Sequence, residues 1–105
     1  MQIRFKTSYR GKPTPPRYQE LIKEVEGFSK DVSFRWSIDG VPHLLVELGR
    51  GIVYSLCYFK SGKNWRVFFP YGTGDQQKKD FYDTDSMVKF LKRHQPRGRM
   101  VPANA

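Results

Sequence analysis

Acidic residues are missing from both ends of this 105-residue chain: residues 1–17 and 89–105 contain no Asp or Glu. Each end carries five cations, Arg4, Lys6, Arg10, Lys12 and Arg17 in front and Lys89, Lys92, Arg93, Arg97 and Arg99 behind, while residues 18–88 hold nine cations against ten anions. The two ends therefore supply the whole net charge of +9. Cysteine is almost absent. Cys57 stands alone, so no internal disulfide can form, and no Cys/His spacing suits a structural metal. An unpaired thiol suits a reducing, cytoplasmic interior. Apolar runs stay far below the ~20 residues of a membrane span, and the start MQIRFKTSYRGK lacks an apolar leader core. A soluble, unexported protein without membrane contact is expected.

What is present suits a folded domain. The hydrophobic fraction of 38% and the aromatic fraction of 15% allow a ring-rich core, and the charged fraction of 28% is ordinary for a globular protein. A single α+β domain over residues 1–96 with a flexible basic tail at 97–105 is expected.

Gln2-Ile3-Arg4-Phe5-Lys6 alternates as a short strand does, and Gly11 with Pro13, Pro15 and Pro16 stops it in a basic loop. Tyr18, Leu21, Ile22, Val25 and Phe28 recur at helical spacing behind Thr14 as cap and Pro15 as first helical residue, which predicts a helix over 15–29. Val32, Phe34, Trp36 and Ile38 alternate into the turn signal Asp39-Gly40. A three-residue loop at 39–41 pairs Ile38 with Pro42 and Trp36 with Leu44, and keeps Leu44, Val46 and Leu48 on the inner face. Gly49-Arg50-Gly51 turns the chain again. The same parity sends Ile52, Tyr54, Leu56 and Tyr58 inward, then Trp65, Val67, Phe69 and Tyr71 on the strand after 60–63. Residues 72–82 read as a mobile loop, and Met87, Val88, Phe90 and Leu91 mark a last helix over 84–95, capped by Asp83, Thr84 or Asp85. The order β-α-β-β-β-β-α predicts an antiparallel meander of about five strands with both helices on one face.

Parity then assigns an open face. Arg4, Lys6, Arg35, His43, Phe59, Arg66 and Phe68 share it with Ser33, Ser37, Leu45 and Ser55. Cations among rings suit a nucleic acid, because guanidinium and ammonium groups meet phosphates while rings stack on unpaired bases. Arg10 and Lys12 in the front loop, and Lys92, Arg93, Arg97 and Arg99 behind, are placed for phosphate contacts.

Helix, strand, the turn Gly40-Val41-Pro42-His43 and two further strands resemble the double-stranded-RNA-binding domain over about residues 17–59. The resemblance implies that His43 contacts the minor groove. It ends where a further strand at 64–71 intervenes and Asp83-Thr84-Asp85-Ser86 replaces that family's basic helix start. Asp39 and Glu47, with Glu24 or Glu26, resemble the acidic set of restriction-endonuclease-like nucleases, but Gly49 stands where that pattern needs a Lys. No catalytic residue, metal or cofactor is assigned.

A small non-enzymatic nucleic-acid-binding protein is the expected function, with RNA or single-stranded DNA favoured because no recognition helix is visible. The alternative is a protein-interaction module, such as a small inhibitor or accessory subunit, that sets the Phe59 and Phe68 face or a sheet edge against an acidic protein partner.

Overall fold

Pro15 and Pro16 start the first helix by different means. Pro15 is the extended N-cap (φ −60°, ψ 146°), and Pro16 occupies the first helical position, where no backbone N–H is needed. In this computed structural model, which describes residues 5–6, 13–37 and 40–94, helix α1 spans Pro16–Glu26 and ends at Gly27. It is shorter than the expected 15–29. Thr14 is not its cap: the cap has no side-chain bond, and Thr14 instead offers its carbonyl to Gln19 Nε2 at 2.8 Å. Tyr18, Leu21 and Val25 form the buried stripe, as their spacing requires.

Among the described residues six strands follow one another across one antiparallel sheet: β1 (Phe5–Lys6), β2 (Asp31–Ser37), β3 (Pro42–Gly49), β4 (Ile52–Phe59), β5 (Asn64–Phe69) and β6 (Gln77–Phe81). Helix α2 (Thr84–Arg93) closes the described chain. The antiparallel α+β meander is thus present, with one strand more than expected. That extra strand, β6, occupies part of the stretch 72–82 that read as a loop, and it pairs with β5 from Trp65–Phe81 to Phe69–Gln77. An edge strand exposed on both faces loses the apolar alternation that reveals a strand, and lysines suit an unpaired edge. Only Phe81 of β6 is buried.

The β2–β3 hairpin keeps the expected parity but not the expected pairing. Trp36 stands opposite Pro42, and Phe34 opposite Leu44. The turn closes one residue earlier on each strand, because Ser37 N–H donates to Val41 O (2.9 Å), Gly40 N–H to Ser37 O (2.9 Å) and Val41 N–H to Ser37 Oγ (3.0 Å). A displacement of two residues in pairing leaves every side chain on its face. Ile38 and Asp39 lie outside the described residues. At the next turn Arg50 and Gly51 both take positive φ (61° and 73°), and a bulge between Glu47 and Gly49 breaks the ladder. Ile52, expected inside, is 40% exposed there.

Both helices pack on one face of the sheet. Tyr18, Leu21 and Val25 of α1 and Met87, Val88, Phe90 and Leu91 of α2 share one apolar cluster with Leu44, Val46, Leu56, Trp65 and Val67. Each fully buried aliphatic side chain in it contributes about 1.5–3 kcal/mol. Asp83 caps α2 by accepting from Ser86 N–H at 2.7 Å, and this bond holds its carboxyl below the usual range. Trp65 Nε1–H donates to Thr84 Oγ1 at 3.2 Å, which ties that cap to β5. No described helix is long and apolar enough to cross a membrane. The expected tail at 97–105 lies outside the described residues.

One side chain fixes α1 to the sheet by polar bonds. Tyr18 OH accepts from Tyr58 N–H at 2.8 Å and donates to Pro42 O at 3.3 Å. Tyr18→Phe should cost about 1–3 kcal/mol of stability, measured by urea unfolding, because the Tyr58 N–H loses its acceptor in a buried place. An unchanged midpoint would show that the hydroxyl carries no structural weight.

Candidate functional site

On the face of the sheet opposite the helices, side chains of five strands, β2 to β6, fall into one row. Arg35 stands opposite His43, Cys57 opposite Arg66, and Arg66 opposite Asp80. The row is closed at its centre, where Cys57 Sγ lies 3.0 Å from His43 Nδ1. Ser55 Oγ lies 3.1 Å from the same nitrogen. His43, Ser55 and Cys57 are 6%, 0% and 1% exposed, as deep as the helical core on the other side.

That burial decides the chemistry of the cluster. Desolvation lowers the His43 pKa from 6.5 to about 4 and raises the Cys57 pKa to about 12, so imidazole and thiol are both neutral near pH 7. A cysteine nucleophile needs the thiolate. The Cys57–His43 pair is therefore un-ionised at rest near pH 7, despite its short distance. Among the described residues no group of three or more His, Cys, Asp or Glu side chains could hold a metal ion.

The remaining residues of this face are engaged in different ways. Arg66 forms a two-pronged ion pair with Asp80 (2.7 and 3.2 Å), and its guanidinium carbon lies 5.0 Å from the Phe59 ring centroid. The pair lowers the Asp80 pKa and raises that of Arg66. Much of the Arg66 charge is thus met within the fold. Arg35 is partly buried, with its Nε sheltered and without a hydrogen-bond partner among the described residues. Phe68 sits one row away, between Ser55 and Lys78, and Phe59 lies at the strand end opposite Asn64. The two rings are not cross-strand partners.

The expected site residues do not form one surface within the described chain. Lys92 and Arg93 belong to α2, on the opposite side of the sheet from Arg35 and Arg66. Lys92 Nζ lies 5.6 Å from the ring centroid of Phe28, which follows α1. Lys6 is in β1, paired with Trp36. Arg4, Arg10, Lys12, Arg97 and Arg99 lie outside the described residues, as does Asp39. Glu47, weighed as a metal ligand, accepts from Gly51 N–H at 3.1 Å and lies 3.9 Å from Lys30 Nζ, which are turn and surface contacts. His43, expected as a groove contact, is held inside the sheet layer.

A groove at one end of the sheet was not expected from the sequence. Pro15 and Arg17 at the start of α1, Trp36 and Pro42 from the first hairpin, and Tyr58 and Lys60 at the end of β4 surround about 530 Å³. The Arg17 guanidinium carbon lies 3.8 Å from the Tyr58 ring centroid, at stacking distance. Helical geometry explains the placement: Tyr18 points into the core, so its neighbour Arg17 is turned to the rim. The available signal was Arg17 immediately before a core tyrosine. What was missing was the contact between α1 and β4, which no local pattern encodes.

His43 makes the fold acid-sensitive. Its pKa is lower in the fold than in the unfolded chain, so the stability it permits is intact above pH 6.5 and is lost as pH falls toward about 4. The loss should be on the order of 2 kcal/mol, since partial screening reduces the full linkage energy. Urea unfolding at stepped pH should show it, and His43→Leu should remove that component between pH 6.5 and 4. An identical slope in the variant would assign the acid sensitivity elsewhere. No family model, curated protein or solved structure matches this chain.

Proposed function

We propose that this chain is a small non-enzymatic protein that binds nucleic acid, with RNA or single-stranded DNA as the favoured partner, in a reducing intracellular compartment. One observation carries the reading: ten cations and no anion in the two end segments, against a nearly neutral middle. Charge concentrated in this way raises the local potential that attracts a phosphate chain and displaces its counterions. Arg17, Lys89, Lys92 and Arg93, the cations of those segments whose side chains are described, are exposed. The neutral Cys57–His43 pair and the structural bonds of Glu47 speak for binding rather than catalysis. The preference for single strands rests on exposed or half-exposed rings beside cations, Tyr58 with Arg17 and Phe59 with Arg66.

Gel shifts with random single- and double-stranded probes test this directly. Retention at low salt should weaken steeply as salt rises, and replacing Arg10, Lys12, Arg97 and Arg99 together by Ala should flatten the log–log slope by up to about 3 for a single strand. An unchanged slope would reject a role for those four residues. Absence of any retention at low salt would favour the rival reading, a module that meets an acidic protein.

A further inference from the structure

We propose that the groove between α1 and the end of β4 is a stacking site for one unpaired nucleobase, which lies on the outer face of the Arg17 guanidinium while its flanking phosphate meets Lys60; this assignment rests on the single-strand reading above.

The geometry of Arg17 is the starting point. Its guanidinium carbon is 3.8 Å from the Tyr58 centroid, so the ring lies against one side of the group while the residue as a whole is exposed. A guanidinium held over an aromatic ring is already ordered, and a base stacking on its other face need not fix a free side chain. Tyr58 is itself held. Its N–H donates to Tyr18 OH at 2.8 Å, and its ring packs edge-on against Trp65 at 5.3 Å. Base, guanidinium and tyrosine would thus continue a stack that is anchored in the core.

Size and polarity select the occupant. About 530 Å³ lies within the range of small-ligand clefts, roughly 300–1,000 Å³, and is enough for a single nucleotide unit. A base in a duplex has both faces occupied and cannot enter, whereas an unpaired base can. Rings and prolines on the walls also resemble a seat for a proline-rich peptide, but such a peptide needs hydroxyl or indole donors for its carbonyls. Tyr18 OH already donates to Pro42 O, and Val41 N–H already donates to Ser37 Oγ. Stacking needs no donor from the floor, and the Arg17 guanidinium over Tyr58 supplies the planar cation that favours a base.

Charge sets the direction of the strand. A neighbouring depression of about 640 Å³ shares Pro15, Arg17 and Lys60 but is also lined by Glu20 and Glu24. Those carboxylates repel phosphate along the flank of α1. The favourable exit is past Lys60.

The test compares three probes of equal length with the full chain: a 15-nucleotide oligothymidylate, an abasic deoxyribose-phosphate strand and a 15-base-pair duplex. Affinity is read by fluorescence anisotropy at fixed salt, for wild type, Arg17→Lys and Arg17→Ala. Lysine keeps the charge and loses the plane. Oligothymidylate should bind wild type about tenfold more tightly than the abasic strand. Arg17→Lys should remove most of that difference without weakening abasic binding, while Arg17→Ala should weaken both single strands. Equal binding of oligothymidylate and abasic strand, or an Arg17→Lys variant that still discriminates, overturns the stacking site and leaves polyanion binding standing. Duplex binding as tight as oligothymidylate also overturns it. If wild type retains no probe, the nucleic-acid reading itself fails.

Discussion

Docking of α1 through Tyr18 is the constraint on which the rest of the described structure depends. Its ring fills the junction between Phe34 and Trp65, with centroids 5.3 and 5.2 Å away, and its hydroxyl joins the Tyr58 N–H to the Pro42 carbonyl. Four strands, β2 to β5, thus meet α1 at one side chain. Once Tyr18 is inside, the helical period commits Leu21 and Val25 to the same core and turns Arg17 to the rim over Tyr58. Packing that stabilises the fold and the placement of a cation beside a ring are thus consequences of a single commitment.

The sheet has two faces with different uses of polarity. Toward the helices it is apolar and sealed. Away from them it carries the row from Arg35 to Asp80, in which a buried neutral centre of His43, Ser55 and Cys57 is flanked by cations, one of them tied to a carboxylate. Proximity alone would have suggested reactivity for Cys57. Desolvation outweighs proximity, because nothing beside the thiol stabilises its anion as strongly as burial penalises it.

Much of the fold was legible because alternation survives wherever one face of a strand is buried. Val32 to Trp36, Leu44 to Leu48 and Tyr54 to Tyr58 announced their faces, and parity was right even where the hairpin pairing was two residues off. Serine 37 moved that turn through its own backbone and side-chain bonds, an effect that the Asp39-Gly40 signal does not contain. Strand β6 escaped notice because Gln77 to Asp80 face solvent and lack any period. Missing it concealed Asp80, and with it the partner that takes up Arg66. The groove was the least legible feature: Arg17 and Tyr58 meet only through tertiary packing, and counting charge along the chain marks Arg17 as a cation without marking the ring beneath it.

The most direct measurement is a nuclear magnetic resonance titration of the isotopically labelled chain with an oligothymidylate, following backbone amides and the arginine Nε–H groups. Binding in the groove predicts the largest shifts at Arg17 Nε–H, Tyr58 and Lys60, with little change at Arg35 or Phe68. Shifts centred on Arg35, Arg66 and Phe68 would move the site to the other face of the sheet, and a spectrum unchanged at saturating oligonucleotide would contradict nucleic-acid binding altogether.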